Sequence, residues 1–175
     1  MRRVKNLLMC GLVACAGMVA GCNSTDTSNS KDAEGKANLE KFDKVDESFS
    51  QRKDMKLFRE LHCADVKVFF PDGRTTVGVD QHVQDIEGMF NGTPNLRVTS
   101  HPVKVGSGEW TAVTGIGEAT FSEPMKLPDG SSIPPTGKTG QILMATFARW
   151  SNGCIAEEHL YFDGATYMKG LGLSH

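Results

Sequence analysis

The sequence lacks the marks of several large functional classes. Its formal net charge is −2, so it has no basic excess of the kind that binds nucleic acid. It has no glycine-rich phosphate loop before a helix and no Gly-x-Ser-x-Gly turn to present a nucleophilic serine. No two of its five histidines have the sequence spacing of metal ligands, so we expect no metal site.

Long apolar runs are scarce, and the run at residues 7–20 is too short for a comfortable membrane span. It follows a basic start and is typical of a signal peptide. Residues 19–22, Val-Ala-Gly-Cys, resemble a bacterial lipobox, which implies lipidation of Cys22 after cleavage. The alternative is an ordinary secretory signal with a chance cysteine. Asn23 follows the cysteine, and by the same resemblance we expect a lipid anchor at the periplasmic face of the outer membrane.

Cysteine is scarce in the rest of the chain. Cys10 and Cys15 belong to the signal, so only Cys63 and Cys154 remain beside the lipidated Cys22. An oxidising compartment would allow these two to form one disulfide. Because nothing in the sequence places them together, we favour two buried free thiols.

The segment after the signal is poor in apolar residues. Residues 23–37 are rich in Ser, Thr, Asp and Lys without apolar periodicity, and they predict a flexible tether. We therefore divide the chain into a signal peptide at 1–22, a tether at 23–37 and one domain at 38–175. This domain is long enough to bury a core.

From residue 38 the apolar period predicts helices first and strands later. A helix is expected at 39–61 with a break at 48–53, then a strand at 65–70 and a second helix at 78–90. The remaining elements are strands at 96–105, 109–122, 141–150 and 154–163, a proline-rich loop at 124–135, and a short helix at 163–170. This order predicts an α+β domain in which a curved antiparallel sheet wraps the N-terminal helices.

The hairpin joined at Asn152 and Gly153 is the stretch around which we expect a pocket to form. Asn-Gly suits a two-residue type I′ turn, because both positions need positive φ. Strand alternation directs one set of side chains to the interior: Ala156, Glu158, Leu160 and Phe162. Without a bulge, Phe147 lies opposite Glu158, and Arg149 lies on the diagonal of the same face.

Five short segments of the chain match motifs of a known protein family in the same order along the sequence. They lie at residues 60–73, 108–115, 120–125, 128–138 and 157–173. Together they resemble the SnoaL-like, or ester-cyclase-like, polyketide cyclase family over about residues 39–173. The resemblance implies the cone-shaped α+β fold of nuclear transport factor 2. It also implies acid/base chemistry on a polyketide ester by a pocket carboxylate, with no metal or organic cofactor. Some members carry Glu-His-Trp-Asp on the last strand, where this chain has Glu-Glu-His-Leu at 157–160.

Glu158 is the first candidate for the catalytic acid/base, with His62 and Asp163 as helpers. Burial would raise the pKa of this carboxylate, and the nearby Arg149 guanidinium would lower it. The alternative is a structural Glu158–Arg149 ion pair. For His62 the alternative is stabilisation of a helix C-terminus through the helix dipole.

Several further residues are candidates for ligand contact, each with a structural alternative. Trp110 is either a flat wall for a ring or part of the core, and Glu118, on the same strand face, is either a second pocket acid or a solvated charge. His82 lies on the apolar stripe of the second helix and is a core or pocket residue. The remaining candidates for ligand contact are Arg149, Phe147, Leu160 and Phe162. His101 and His159 have no obvious partner.

Two functions are therefore open. The first is a lipid-anchored envelope enzyme that performs cofactor-free acid/base chemistry on a small apolar or carbonyl-containing molecule. The second is a non-catalytic ligand-binding or dimerisation module, in which Ile155, His159 and Tyr161 lie in a homodimer interface. We expect neither function to involve nucleic acid.

Overall fold

A computed structural model describes residues 24–173 of the chain. The predicted signal peptide and the predicted lipidation site, Cys22, lie outside the described residues. Within the described range, no helix combines the length and the hydrophobicity needed to cross a bilayer.

The chain begins with a broken helical layer. Helix α1 (Ser24–Phe49) leads through a 3-10 turn into helix α2 (Met55–Leu61). The break falls inside the predicted interval, because Gln51 and Arg52 adopt positive φ angles of 57° and 54°. Asp54 then caps α2 by accepting a backbone hydrogen bond. The predicted interruption of the first helix is therefore confirmed.

Helix α1 starts earlier than the sequence predicts. The described part of the expected tether, residues 24–37, is helical, and it contacts the sheet. The backbone N–H of Gly108 donates a 2.8 Å hydrogen bond to the carbonyl of Lys31. Gly35 packs on the backbone of Gly106 so closely that a Cβ there would lie 2.4 Å from the Gly106 carbonyl carbon. Because this contact is made by backbone atoms, the pattern of apolar side chains does not predict it.

Nine strands and two further helices complete the described chain. The strands are β1 (His62–Phe69), β2 (Thr75–Val77), β3 (Arg97–Ser100), β4 (Lys104–Ser107), β5 (Trp110–Thr120), β6 (Met125–Lys126), β7 (Ser132–Ile133), β8 (Thr139–Ser151) and β9 (Cys154–Phe162). The helices are α3 (Val79–Gly88) and α4 (Gly164–Gly170). The predicted α+β class is confirmed, and the element order follows the prediction closely.

Seven of the described strands form one curved sheet in the order β2-β1-β9-β8-β5-β3, with β4 also paired to β5. The curved sheet is confirmed, and all of its pairs are antiparallel as predicted except β1–β9, which is parallel, so the sheet is mixed. A parallel neighbour needs a crossover, and here α3 and the intervening strands supply it.

Two local predictions need correction. The strand expected at 96–105 is interrupted between β3 and β4, where Pro102 has no N–H to donate to a ladder. The proline-rich loop at 124–135 contains the small β6–β7 hairpin. Both changes leave the order of the main strands unaltered.

The core lies between the helices and the inner face of the sheet. It combines aromatic side chains of α1 and α2 with aliphatic and aromatic side chains of the strands. Its fully or almost fully buried members include Phe42, Phe49, Phe58, Val66, Ile142 and Trp150.

Cys63 and Cys154 form a disulfide with a Cα–Cα distance of 5.1 Å across a sequence separation of 91 residues. The prediction of two free thiols is therefore wrong. The parallel pairing of β1 with β9 explains the bond, since it places His62 beside Ile155 at the start of both strands. Nothing in the sequence reveals which two strands become parallel neighbours.

The β8–β9 hairpin has the predicted turn. Asn152 and Gly153 adopt φ angles of 50° and 86°. Ser151 and Cys154 pair directly across the two-residue loop. One pair further along, a bulge in β9 shifts the register by one residue.

The bulge decides which side chains face the interior. Phe147 lies opposite His159, and Arg149 lies opposite Glu157, on the outer face of the sheet. The predicted neighbourhood of Phe147 and Arg149 with Glu158 is therefore wrong, because one extra residue in a strand exchanges its faces relative to the partner. Glu158 itself faces inward and is 4% exposed, as the alternation predicts.

Candidate active site

A cavity of about 180 Å³ lies between the helical layer and the inner face of the sheet. Its wall is mainly apolar, with aromatic side chains from α1, α2 and the end of β9 and with methionines from α3 and β8. The apolar lining includes Phe49, Phe58, Met89, Met144, Leu160 and Phe162. Its ionisable lining comprises Asp46, Arg74, His82, Asp85, Glu158 and Tyr161. An apolar hollow with a few polar groups suits a small organic ligand.

Glu158 and His82 form the buried polar end of the cavity. His82 comes from the apolar stripe of α3, is 1% exposed, and places Nε2 3.1 Å from Oε2 of Glu158. The two atoms are within ion-pair distance, but Oε2 has no aligned hydrogen-bond donor. The Glu158 carboxylate therefore retains unused hydrogen-bond accepting capacity at the edge of the cavity.

His62 stands behind this pair and does not line the cavity. Its Nδ1 donates a 2.7 Å hydrogen bond to the carbonyl of Phe58, since a carbonyl only accepts. In the neutral ring Nε2 is then an unprotonated nitrogen, 3.9 Å from Oε2 of Glu158. The side chain of His62 is fully buried, so any role as a helper has to act through Glu158 and not by direct contact with a ligand.

The pKa values of this group follow from burial and from its neighbours. Burial is the largest single influence on the pKa of Glu158 and would raise it, but His82, with His62 and His159, outweighs burial and holds the pKa below its usual range. Burial also lowers the pKa of His62, more than the attraction of Glu158 raises it. Glu158 is therefore ionised and His62 neutral near neutral pH.

The same three residues come nearest to a metal site among the residues described. The ligating atoms of His62, His82 and Glu158 lie within 4.8 Å of one another. Sequence spacing missed the cluster because the residues come from three separate elements. Two imidazoles and a carboxylate are a donor set that zinc uses. His82 and Glu158 contact each other directly at 3.1 Å, and we treat the cluster as an acid/base group.

Asp46 is a second carboxylate in the cavity wall, and the sequence analysis did not identify it. It lies on α1 between the buried Val45 and Phe49. Burial raises its pKa, and the hydrogen bond from His101 only partly offsets that effect. A signal was present in the sequence, since Asp46 falls on the apolar stripe of the helix, four residues after Phe42.

The other predicted catalytic and binding residues are dispersed. Asp163 caps α4 by accepting a 2.9 Å hydrogen bond from the backbone of Thr166, and it does not line the cavity. Glu118 pairs with Arg97 at 2.8 Å. Trp110 lies on the outer side of the sheet, 39% exposed.

The outer face of the sheet collects several of these residues. Phe147 and Trp110 line an open surface groove beside Val105. Arg149 contacts Glu157 at 3.4 Å, so the predicted Glu158–Arg149 ion pair is not formed. The cavity therefore brings together Glu158, His82, Leu160 and Phe162 from the predicted set, with His62 directly behind.

A curved mixed sheet that encloses a small apolar cavity against helices, with a buried carboxylate and histidine inside, defines an α+β domain of the nuclear transport factor 2 type. Residues 42–171 match the model of the SnoaL-like polyketide cyclase family. The chain belongs to this family.

Solved structures agree on the fold. A protein from Jannaschia sp. CCS1 classed as a SnoaL-like polyketide cyclase superposes with a TM-score of 0.68 at 16% identity, covering 81% of this chain and 96% of its own. IdmH of Streptomyces antibioticus, a candidate polyketide cyclase, gives a TM-score of 0.66 at 19% identity over 77% of this chain and 98% of its own.

The shared fold does not fix one chemistry. AclR of Streptomyces galilaeus, a candidate hydroxylase, superposes with a TM-score of 0.64 at 16% identity, covering 81% of this chain and 82% of its own. At such identities the likeness establishes the fold alone, and function has to be argued from the site. No curated protein matches this chain in sequence.

Proposed function

We propose that this protein binds a small, largely apolar carbonyl compound in its cavity and acts on it by acid/base chemistry without a cofactor, as an ester cyclase or a related enzyme. One observation carries the proposal: the Glu158 carboxylate belongs to the cavity lining, and its buried Oε2 has no aligned hydrogen-bond donor. A buried, ionised carboxylate beside an apolar hollow is suited to abstract a proton from a bound molecule.

The chemistry of Glu158 narrows the class of ligand. Its pKa lies below the usual range, so it is a weak base. A weak base needs an acidic C–H bond, and a carbon between two carbonyl groups provides one. We therefore expect a β-keto ester or β-diketone whose apolar remainder fits among Phe49, Met144 and Phe162.

The reaction has two steps. Glu158 takes the proton, and the C–H electron pair becomes part of an enolate beside the His82 ring. The enolate carbon then attacks a further carbonyl group elsewhere in the same molecule, so that a C–C bond forms and the oxygen of that carbonyl takes up a proton. Substrate and cyclic product are isomers, and the reaction consumes no oxidant or reductant.

Proton abstraction is testable without the natural ligand. Ethyl acetoacetate carries an acidic CH₂ group between a ketone and an ester, and its exchange for deuterium in D₂O is followed by proton NMR. We expect the full chain to accelerate exchange and Glu158→Gln to lower that acceleration about 100-fold or more, as for loss of a general base. The matched control is Glu157→Gln, which changes the same residue type on the outer face.

Each result of this experiment decides something. Equal exchange by Glu158→Gln and the wild-type chain, with a lower unfolding temperature for the variant, assigns Glu158 a structural role. Absence of exchange by the wild-type chain contradicts the enzyme proposal and favours the binding module. A molecule that co-purifies with the protein, identified by mass spectrometry, would reveal the ligand in either case.

We further propose that the protein is anchored in the cell envelope by lipid on Cys22. The Cys63–Cys154 disulfide supports export, since such bonds persist in oxidising compartments. Two or more acyl chains hold a protein firmly on a bilayer. The proposal requires that Cys22→Ser move the protein from the membrane fraction to the soluble fraction, and it fails if both forms fractionate alike.

A dimerisation module is the second candidate, favoured by large apolar side chains on the outer face of the sheet. Leu143, Phe147 and Tyr161 are 51%, 45% and 52% exposed. Exposed apolar patches of this kind commonly mark interfaces.

A further inference from the structure

A second set of ionisable side chains crosses the wall of the cavity on the side of α1. His101, in the turn between β3 and β4, places Nε2 2.7 Å from Oδ2 of Asp46. Its Nδ1 lies 3.1 Å from Oδ1 of Asp43, one helical turn earlier. Each ring nitrogen of His101 therefore lies within hydrogen-bond distance of a different carboxyl group. The sequence indicates no partner for His101, because its two partners come from a distant helix.

Asp46 faces two spaces. It lines the cavity that contains Glu158, and it also lines a surface cleft of about 390 Å³ formed by α1 and by β3 with the turn after it. His101 lines the cleft but not the cavity. Asp46 therefore lies between the cavity and the cleft.

The rest of the set holds His101 in place. Asp43 is 44% exposed and also accepts a 2.8 Å contact from Nζ of Lys104 on β4. The ring of Phe42 meets the His101 ring edge-on at 6.2 Å. His101 is thus fixed on three sides and cannot turn away from Asp46 without breaking both carboxylate contacts.

The electrostatics of the set agree with this geometry. Burial raises the pKa of Asp46, so this carboxyl group holds a proton more readily than an exposed one. The hydrogen bond to Asp46 is the main cause that raises the pKa of His101, with smaller contributions from Asp43. The charged groups that face the pair are Asp43 on α1, Lys104 on β4 and, across the cavity, Glu158 on β9.

We propose that Asp46 is the second catalytic acid/base residue of this site, and that His101, held by Asp43, is its positioning residue. The proposal rests on the function proposed above. As Glu158 takes a proton from the ligand carbon, Asp46 gives its own proton to the ligand oxygen, and the resulting carboxylate faces the His101 ring. Between turnovers Glu158 releases its proton to water, and Asp46 takes one up from the cleft. One proton enters and one leaves, so the site returns to its starting state.

Deuterium exchange of ethyl acetoacetate by the full chain tests the role of Asp46. We expect Asp46→Asn to lower the exchange rate by about 10- to 100-fold, since the amide still donates a hydrogen bond but no proton. Asp32→Asn is the matched control, because Asp32 is exposed on the same helix. If Asp46→Asn exchanges deuterium as fast as the wild-type chain, the proposal is wrong.

The dependence of exchange on pH tests the role of His101. In the wild-type chain the rate falls on the alkaline side as Asp46 loses its proton. Because the His101 ring favours the Asp46 carboxylate, His101→Gln should move that decline to higher pH, which a merely structural residue would not do. A decline that stays at the same pH in His101→Gln overturns the positioning role.

The outcomes also separate this inference from the function on which it rests. If Glu158→Gln abolishes exchange while Asp46→Asn does not affect it, only the inference fails. If Glu158→Gln exchanges normally, the proposed function fails. If Asp46→Asn does not fold, the pKa of Asp46 can be measured instead by NMR titration of its carboxyl carbon, in the wild-type chain and in His101→Gln. The same Asp46 pKa in both proteins contradicts the inference.

Discussion

At the scale of single residues, the buried histidines give the protein opposite responses to pH. His62 is neutral in the fold because burial lowers its pKa below the ordinary value of 6.5. The unfolded chain therefore binds the proton more readily. The contribution of His62 to stability is complete above pH 6.5 and declines as the pH falls below that value.

His101 has the opposite sign, and this permits a matched comparison. Its pKa is raised above 6.5, so its contribution is complete below that value and is lost as the pH rises through the folded pKa. We expect His62→Gln to flatten the fall in unfolding free energy between pH 7 and pH 5. His101→Gln should instead remove stability mainly at the acid end. Urea unfolding across this range measures both, and parallel profiles for the two variants would contradict the assigned charge states.

The inward position of Glu158 could be predicted from one strand alone. Alternation along β9 leaves Glu158 as the one carboxylate among apolar neighbours, whereas its catalytic role stays a prediction. His82, on the apolar stripe of α3, was found for the same kind of reason. Asp46 lies on the apolar stripe of α1, but the Asp46–His101 contact depends on two elements that meet only in the fold. No pattern within either element reports that contact.

At the scale of elements, the disulfide fastens two strands that carry the site. It joins Cys63, next to His62, to Cys154 at the start of the strand that bears Glu158. A cross-link over 91 residues removes much of the freedom of the unfolded chain. We expect the double change Cys63→Ala and Cys154→Ala to lower the free energy of unfolding by about 2–5 kcal/mol.

Urea denaturation with and without a reductant provides the control. The reduced wild-type chain should unfold at the same urea concentration as the double variant, since both lack only the cross-link. A double variant as stable as the oxidised wild type would show that packing of β1 against β9 fixes these strands without the bond.

Element boundaries were predictable to the extent that they depend on local chemistry. The Asn152–Gly153 turn and the break after Phe49 both follow from nearby residues. The bulge in β9 and the parallel β1–β9 pair do not, because they are set by packing between strands distant in sequence. The bulge alone moved Phe147 and Arg149 from the predicted pocket to the outer face.

At the scale of the whole molecule, the sheet separates two surfaces with different uses. Its inner face carries Glu158 and the cavity, and its outer face exposes Phe147, Leu143 and Tyr161. Oppositely charged Arg149 and Glu157 lie beside this apolar patch. A two-fold axis through the patch would let each copy place its apolar side chains on those of the other.

This separation predicts that association and chemistry can be altered independently. If the outer face forms a homodimer, Phe147→Asp should yield monomers in sedimentation equilibrium, because a charge would be buried at the centre of the interface. Val77→Asp is the matched control, since Val77 is 61% exposed on the edge strand β2. Deuterium exchange of ethyl acetoacetate should persist in monomeric Phe147→Asp, because Phe147 does not line the cavity. A monomeric wild-type chain removes the dimerisation hypothesis, and a dimer that survives Phe147→Asp places the interface elsewhere.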